Sequence, residues 1–171
     1  MDTWDAIRAR RNVRSYREEP IPEEHLHRIL EAGRRAPSAN NRQPWDFILS
    51  TDHQQLQSLA AVWRGAGHIG RSAATVTLVL ETPEDDRRRV LDQYDLGQAT
   101  MAMMLAAADL GIGSGHAAIE DQEACRRLLH VPPTHYCAYL LALGYPDDRP
   151  LRPIAQPQRR AFESVVHRGG W

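Results

Sequence analysis

Lysine is absent from this chain. Its 21 basic side chains are all arginine, set against 22 carboxylates for a formal net charge of −1 over 171 residues. So even a balance argues against a nucleic-acid-binding domain, which is usually clearly basic. Cysteine is nearly absent too: Cys125 and Cys137 stand alone, with no Cys-x-x-Cys pair, and read as reduced, buried thiols of a cytoplasmic protein. No apolar run approaches the ~20 residues of a bilayer-spanning helix, because the most apolar stretch, residues 96–108, is bounded by Asp95 and Asp109. Asp2 and Asp5 sit where a secretory leader would be basic, so a soluble chain without a leader is expected.

The usual catalytic signatures are missing as well. Eight histidines include no His-Glu-x-x-His, and His25 and His27, two apart, fall on different faces of a helix, so no metal site is expected. There is no Gly-x-Ser-x-Gly elbow and no phosphate-binding Walker loop. Gly111, Gly113 and Gly115 have the spacing of a dinucleotide fingerprint, but they follow a helix and precede an extended segment, the reverse of the order that motif requires. With no nucleophile or acid–base pair in view, an enzyme built on this sequence has to leave the chemistry to a bound organic cofactor.

What the sequence has is arginine in clusters. Arg8, Arg10, Arg11, Arg14 and Arg17 crowd the N-terminus, and Arg159 and Arg160 sit near the C-terminus. Guanidinium forks match phosphate oxygens two at a time, which an ammonium cannot do. Between the clusters, Pro37-Ser38-Ala39-Asn40-Asn41-Arg42-Gln43-Pro44-Trp45 forms a rigid, amide-rich turn. Together they point to a phosphorylated, planar, hydrogen-bonding ligand. The plainer reading is that a GC-rich genome replaces lysine everywhere and that many arginines, Arg87-Arg88-Arg89 among them, only solvate a helix.

Length and composition describe one domain, residues 1–171, with helices around a modest sheet in a single α+β layer. Helices are expected from Trp4, from Glu23 to the stop at Pro37, from a Thr51 or Asp52 cap through Leu56, Leu59, Ala60 and Trp63, from Asp85 to Leu110, and from Asp121 to Leu129. Strands are expected at residues 45–49, 74–80, 116–119 and 136–144. The second half of the long helix is apolar all round, which predicts burial against the sheet, a partner subunit, or both. The tail, residues 147–171, lacks a core of its own and is expected to wrap around something, a second subunit being one candidate. The loop at residues 64–71 fits no pattern.

Four segments in order carry a family resemblance. Ala9-Arg10-Arg11-Asn12-Val13-Arg14-Ser15-Tyr16 with Pro20-Ile21-Pro22, the turn from Ala36 to Trp45, Asp95-Leu96-Gly97-Gln98-Ala99 leading to Leu110-Gly111-Ile112-Gly113-Ser114, and Leu143-Gly144-Tyr145-Pro146 followed by Arg159-Arg160 and Val165-Val166-His167 together resemble the FMN-dependent nitroreductase family. The resemblance implies an α+β fold, a central, mostly antiparallel sheet flanked by helices, in an intertwined homodimer with two FMN sites at the interface. It implies NAD(P)H as electron donor and a small-molecule acceptor, such as a nitroaromatic or quinone, in ping-pong turnover. Reductive dehalogenation, biosynthetic dehydrogenation and flavin storage are the alternatives. It implies that Arg10, Arg11, Asn12 and Arg14 meet FMN, Arg10 at the phosphate and Arg14 at the pyrimidine edge. Pro37, Ser38, Ala39 and Asn41, with Gln43 beside them, would come from the other subunit. His116, Ala117 and Ala118 would pass the flavin N5 region, and Arg159 or Arg160 would add a phosphate contact. Asn12 departs from the family's usual serine.

Overall fold

The computed structural model describes residues 1–171. Helix α1 (Thr3–Ala9) is capped by Asp2, and α2 (Glu23–Arg34) starts after Pro22 with two acidic residues in its first turn. Strand β1 (Trp45–Ser50) leads into α3 (His53–Ala60), whose first turn is tied by the Asp52 side chain. Strand β2 (Ala74–Glu81) precedes α4 (Asp86–Asp109), capped by Asp85 accepting from the Arg88 amide at 2.7 Å. Then come β3 (Gly113–Ala117), α5 (Gln122–Leu129), capped by Asp121, and β4 (His135–Gly144). In each of these caps a carboxylate satisfies amides that the first helical turn leaves without partners. The third strand lies three residues earlier than expected, and Trp63 falls beyond the end of α3.

The sheet runs β1-β2-β4-β3 with every neighbouring pair antiparallel. It is covered on both faces, not one. On the first face, Leu26, Ile29, Leu96, Ala99 and Met103 of α2 and α4 pack on Val76, Leu78, Leu141 and Leu143. On the second, Leu59 of α3 with Cys125 and Leu129 of α5 packs on Val79, Cys137 and Leu140. This explains why β2 and β4 read as nearly continuous apolar runs: side chains alternate between two cores, both buried. Cys125 and Cys137 are free and buried in the second core.

Helix α4 is not buried on every side within one chain. Leu96, Ala99, Met103 and Ala107 are buried, but Val90, Tyr94 and Met101, with Gly97 between them, form an open stripe at helical spacing. The tail behaves likewise. It is pinned as far as Ile154, whose amide donates to the Arg8 carbonyl at 3.1 Å, after which Phe162, Val165, Val166 and Trp171 are all exposed. No helix is long and apolar enough to cross a membrane.

Glycines on β3 and at the end of β4 have a packing role. A Cβ on Gly115 would lie 2.2 Å from the Val13 carbonyl oxygen, and one on Gly144 would lie 2.6 Å from the Tyr16 ring. The arginine-rich N-terminal segment is seated on this bare backbone. Gly115→Ala is therefore expected to cost at least the ~1–3 kcal/mol of an overpacked core. Gly67→Ala, where nothing lies within 4 Å, should be near neutral. Equal melting temperatures for the two variants would contradict this packing.

Candidate functional site

The N-terminal segment adds an irregular rung to the edge of β3. Asn12 bridges Ser114, the Val13 amide donates to the Ser114 carbonyl at 2.9 Å, and Tyr16 bridges Pro146. Val13 and Tyr16 turn inward, the Tyr16 hydroxyl donating to the Val13 carbonyl at 2.6 Å. Burial pushes that phenol's pKa well above the ordinary tyrosine value, so it serves as a permanent donor. Alternation about Val13 sends Asn12 and Arg14 outward into solvent, and His116 on β3 is exposed as well.

Of the five arginines here, three are engaged. Arg8 pairs with Asp5, Arg17 with Glu19, and Arg11 with Asp148 at 2.7 Å while also donating to the Arg149 carbonyl at 2.8 Å. Arg10 and Arg14 are left without an ion pair. Arg11 thus fastens the start of the tail to the N-terminal segment. Arg159 donates to the Gln158 carbonyl and Arg160 to the Ser164 carbonyl, both on the exposed tail away from this cluster. Ala117 is buried and Ala118 exposed at the end of β3.

The turn before β1 is a second group. Ser38 accepts the Gln43 amide through its side chain at 2.8 Å and the Asn41 amide through its carbonyl at 3.0 Å. Asn40, Asn41 and Gln43 all take positive φ, at 55°, 56° and 52°. After glycine, asparagine tolerates this region best, yet each such residue costs on the order of 1 kcal/mol, and surrounding contacts have to hold it. Pro37, Asn41 and Gln43 are exposed, and Ser38 and Ala39 are half-buried.

The two groups stand at opposite corners of the sheet. Trp45 pairs with Leu80, which pairs with Tyr136, whereas Ser114 pairs with Leu143 at the far end of the same strand. Strand spacing puts them roughly 14 Å apart across the sheet and over ~20 Å along it. One chain does not bring them onto one small ligand.

His68, in the segment that fits no pattern, is the residue the sequence did not reveal. It is 4% exposed, and its Nε2 has no hydrogen-bond partner. Burial holds its imidazole below the ordinary value, helped by Arg14 and His116 and opposed by the Gly115 and Gly65 backbone. It therefore lies just behind the outward face that carries Arg14 and His116. The only sequence signal was a lone histidine in a glycine-broken loop.

Because folded His68 takes up a proton less readily than the unfolded chain, acidification favours unfolding. Stability should fall as pH drops below ~6.5, the unperturbed histidine value. His68→Gln is expected to flatten the dependence of unfolding free energy on pH between about 7 and 5. Parallel curves for the two proteins would contradict the burial of a neutral imidazole there.

The nitroreductase family model matches residues 7–73 and 60–145. A protein of Archaeoglobus fulgidus named for NADH dehydrogenase/NAD(P)H nitroreductase is 29% identical over 96% of both chains. One of the same name from Methanothermobacter thermautotrophicus is 30% identical, over 95% of this chain and 87% of its own. The solved structure of a Parabacteroides distasonis protein, also so named, superposes with a TM-score of 0.84 at 25% identity, covering 99% of this chain and 98% of that one. The chain belongs to the nitroreductase family, whose members are FMN-dependent, NAD(P)H-linked oxidoreductases.

Proposed function

We propose that two copies of this chain assemble FMN sites between them and reduce a nitroaromatic, quinone or similar small acceptor at the expense of NAD(P)H, by ping-pong turnover. The observation that carries the reading is the outward face of the N-terminal segment. Arg10 and Arg14 have no ion-pair partners there, Asn12 lies between them, and His68 is orphaned behind it. These donors fit the group: forks for a phosphate, short polar groups and a buried imidazole for a heteroaromatic edge.

Arg10 is assigned to the phosphate and Arg14 to the pyrimidine edge of the ring. There a fixed cation lowers the energy of negative charge without any reorganisation during the reaction. His116, Ala117 and Ala118 line the passage along the N5 side. Pro37, Ser38, Ala39, Asn41 and Gln43 are supplied by the second copy, since their own chain holds them at the far corner of the sheet. The open stripe of Val90, Tyr94 and Met101 on α4 supports a second copy packing there, and the exposed apolar residues of the tail support its wrapping of that copy. Arg159 or Arg160 then arrives on the tail as a further phosphate ligand, while Arg11 keeps the root of the tail in place. Bound FMN supplies the two-electron chemistry; the chain binds, orients and keeps charge near the ring. With no acid–base pair at the site, the two substrates need only take turns on one open face.

The purified homodimer should carry FMN and lose its colour on addition of NADH or NADPH. Arg10→Ala should weaken FMN binding by ~1.5–3 kcal/mol, the range for hydrogen bonds to a charged group. Arg89→Ala, which breaks only an exposed pair with Asp86, should leave it within error. Equal losses in both variants, or a wild-type chain that takes up no FMN, would overturn the assignment.

A further inference from the structure

Two buried carboxylates on α4 have a use that the family resemblance does not explain. Asp92 and Asp95 are 5% and 3% exposed, one helical turn apart on the face turned toward the residue 37–45 turn. Asp92 holds Arg42 of the turn at 3.2 Å and Arg88 of its own helix at 3.9 Å. Asp95 has no cation. Its Oδ2 accepts the Ala39 backbone amide at 2.9 Å, and its Oδ1 accepts only the Gln98 side-chain amide at 3.3 Å.

Burying a carboxylate without a counter-charge is costly, and a neutral acceptor would also tether the loop, through a weaker bond. What Asp95 adds is a stronger, charge-assisted bond to one amide. That amide opens the run in which Asn40, Asn41 and Gln43 are all left-handed, a shape that persists only where contacts over-determine it. On one side of the run Asp95 grips Ala39; on the other, Asp92 grips Arg42; Ser38 closes the loop onto Gln43. The side chains of Ser38, Asn41 and Gln43 are thereby set in one presentation.

From this clamp we infer that Asp95, assisted by Asp92, is the positioning residue for the turn that the second copy contributes to the cofactor. It touches no ligand itself and acts through the Ala39 amide. The inference rests on the proposed FMN site, and the readouts below separate the two.

The test uses the full-length protein and FMN. Asp95→Ala should raise the FMN dissociation constant by at least about tenfold, the loss expected of one hydrogen bond to a charged acceptor. In the apoprotein it should speed deuterium exchange at residues 39–43 while leaving the β3 amides unchanged. Asp95→Asn, which keeps an acceptor for Ala39, should recover most of both effects. Arg42→Ala removes an exposed arm of the clamp without opening the core, and should give a smaller shift of the same kind even if Asp95→Ala folds poorly. Asp86→Ala, on the exposed face of the same helix, should match the wild type. Faster exchange in the turn with unchanged FMN affinity would overturn the inference, because the turn would then be clamped but not used. Unchanged exchange in Asp95→Ala would overturn it as well. A wild-type protein that binds no FMN would fail the proposed function, whereas the exchange measurement would still report on the clamp.

Discussion

The close seating of the N-terminal segment on bare backbone is the constraint on which the site depends. Gly115 brings β3 close enough for the Val13 carbonyl to occupy the place of a side chain, and Gly144 does the same for the Tyr16 ring. Once Val13 is pressed inward, its neighbours Asn12 and Arg14 are left facing out. The tail is then pinned to the same segment through Arg11 and the Ser15 carbonyl. Any larger residue at Gly115 would have to lift the arginines off the sheet.

A second constraint acts at the opposite corner. There the strained turn is held by carboxylates of α4 rather than by its own hydrogen bonds alone. The same helix shows an apolar stripe on its outer side. One element thus carries both the grip on the turn and an open apolar stripe, the surface on which the proposed second copy would pack.

Much of this was legible in the sequence. Asp52, Asp85 and Asp121 announced three helix starts, and the apolar runs at residues 74–80 and 136–144 announced the two central strands. The glycine series was correctly separated from a dinucleotide motif, but its purpose was hidden, because a close approach between segments far apart in sequence leaves no local pattern. The burial of Asp92 and Asp95 was hidden for a similar reason: their partners, Arg42 and the Ala39 amide, lie 50 and 56 residues away. His68 could not be distinguished from a surface histidine until the fold placed Gly115 beside it. The long helix misled in part, since alanine and methionine serve equally well against a core and along an open stripe.

The central claim is that each site takes its arginines from one copy and its turn from the other. The most direct measurement mixes two defective proteins, Arg10→Ala and Asp95→Ala, allows subunits to exchange, and titrates the mixed dimer with FMN. Shared sites predict that both lesions fall in one site, leaving the other intact, so the mixed dimer should bind one FMN with wild-type affinity. Sites built within single chains would leave a lesion in each, and a mixed dimer with no tight FMN would contradict the account.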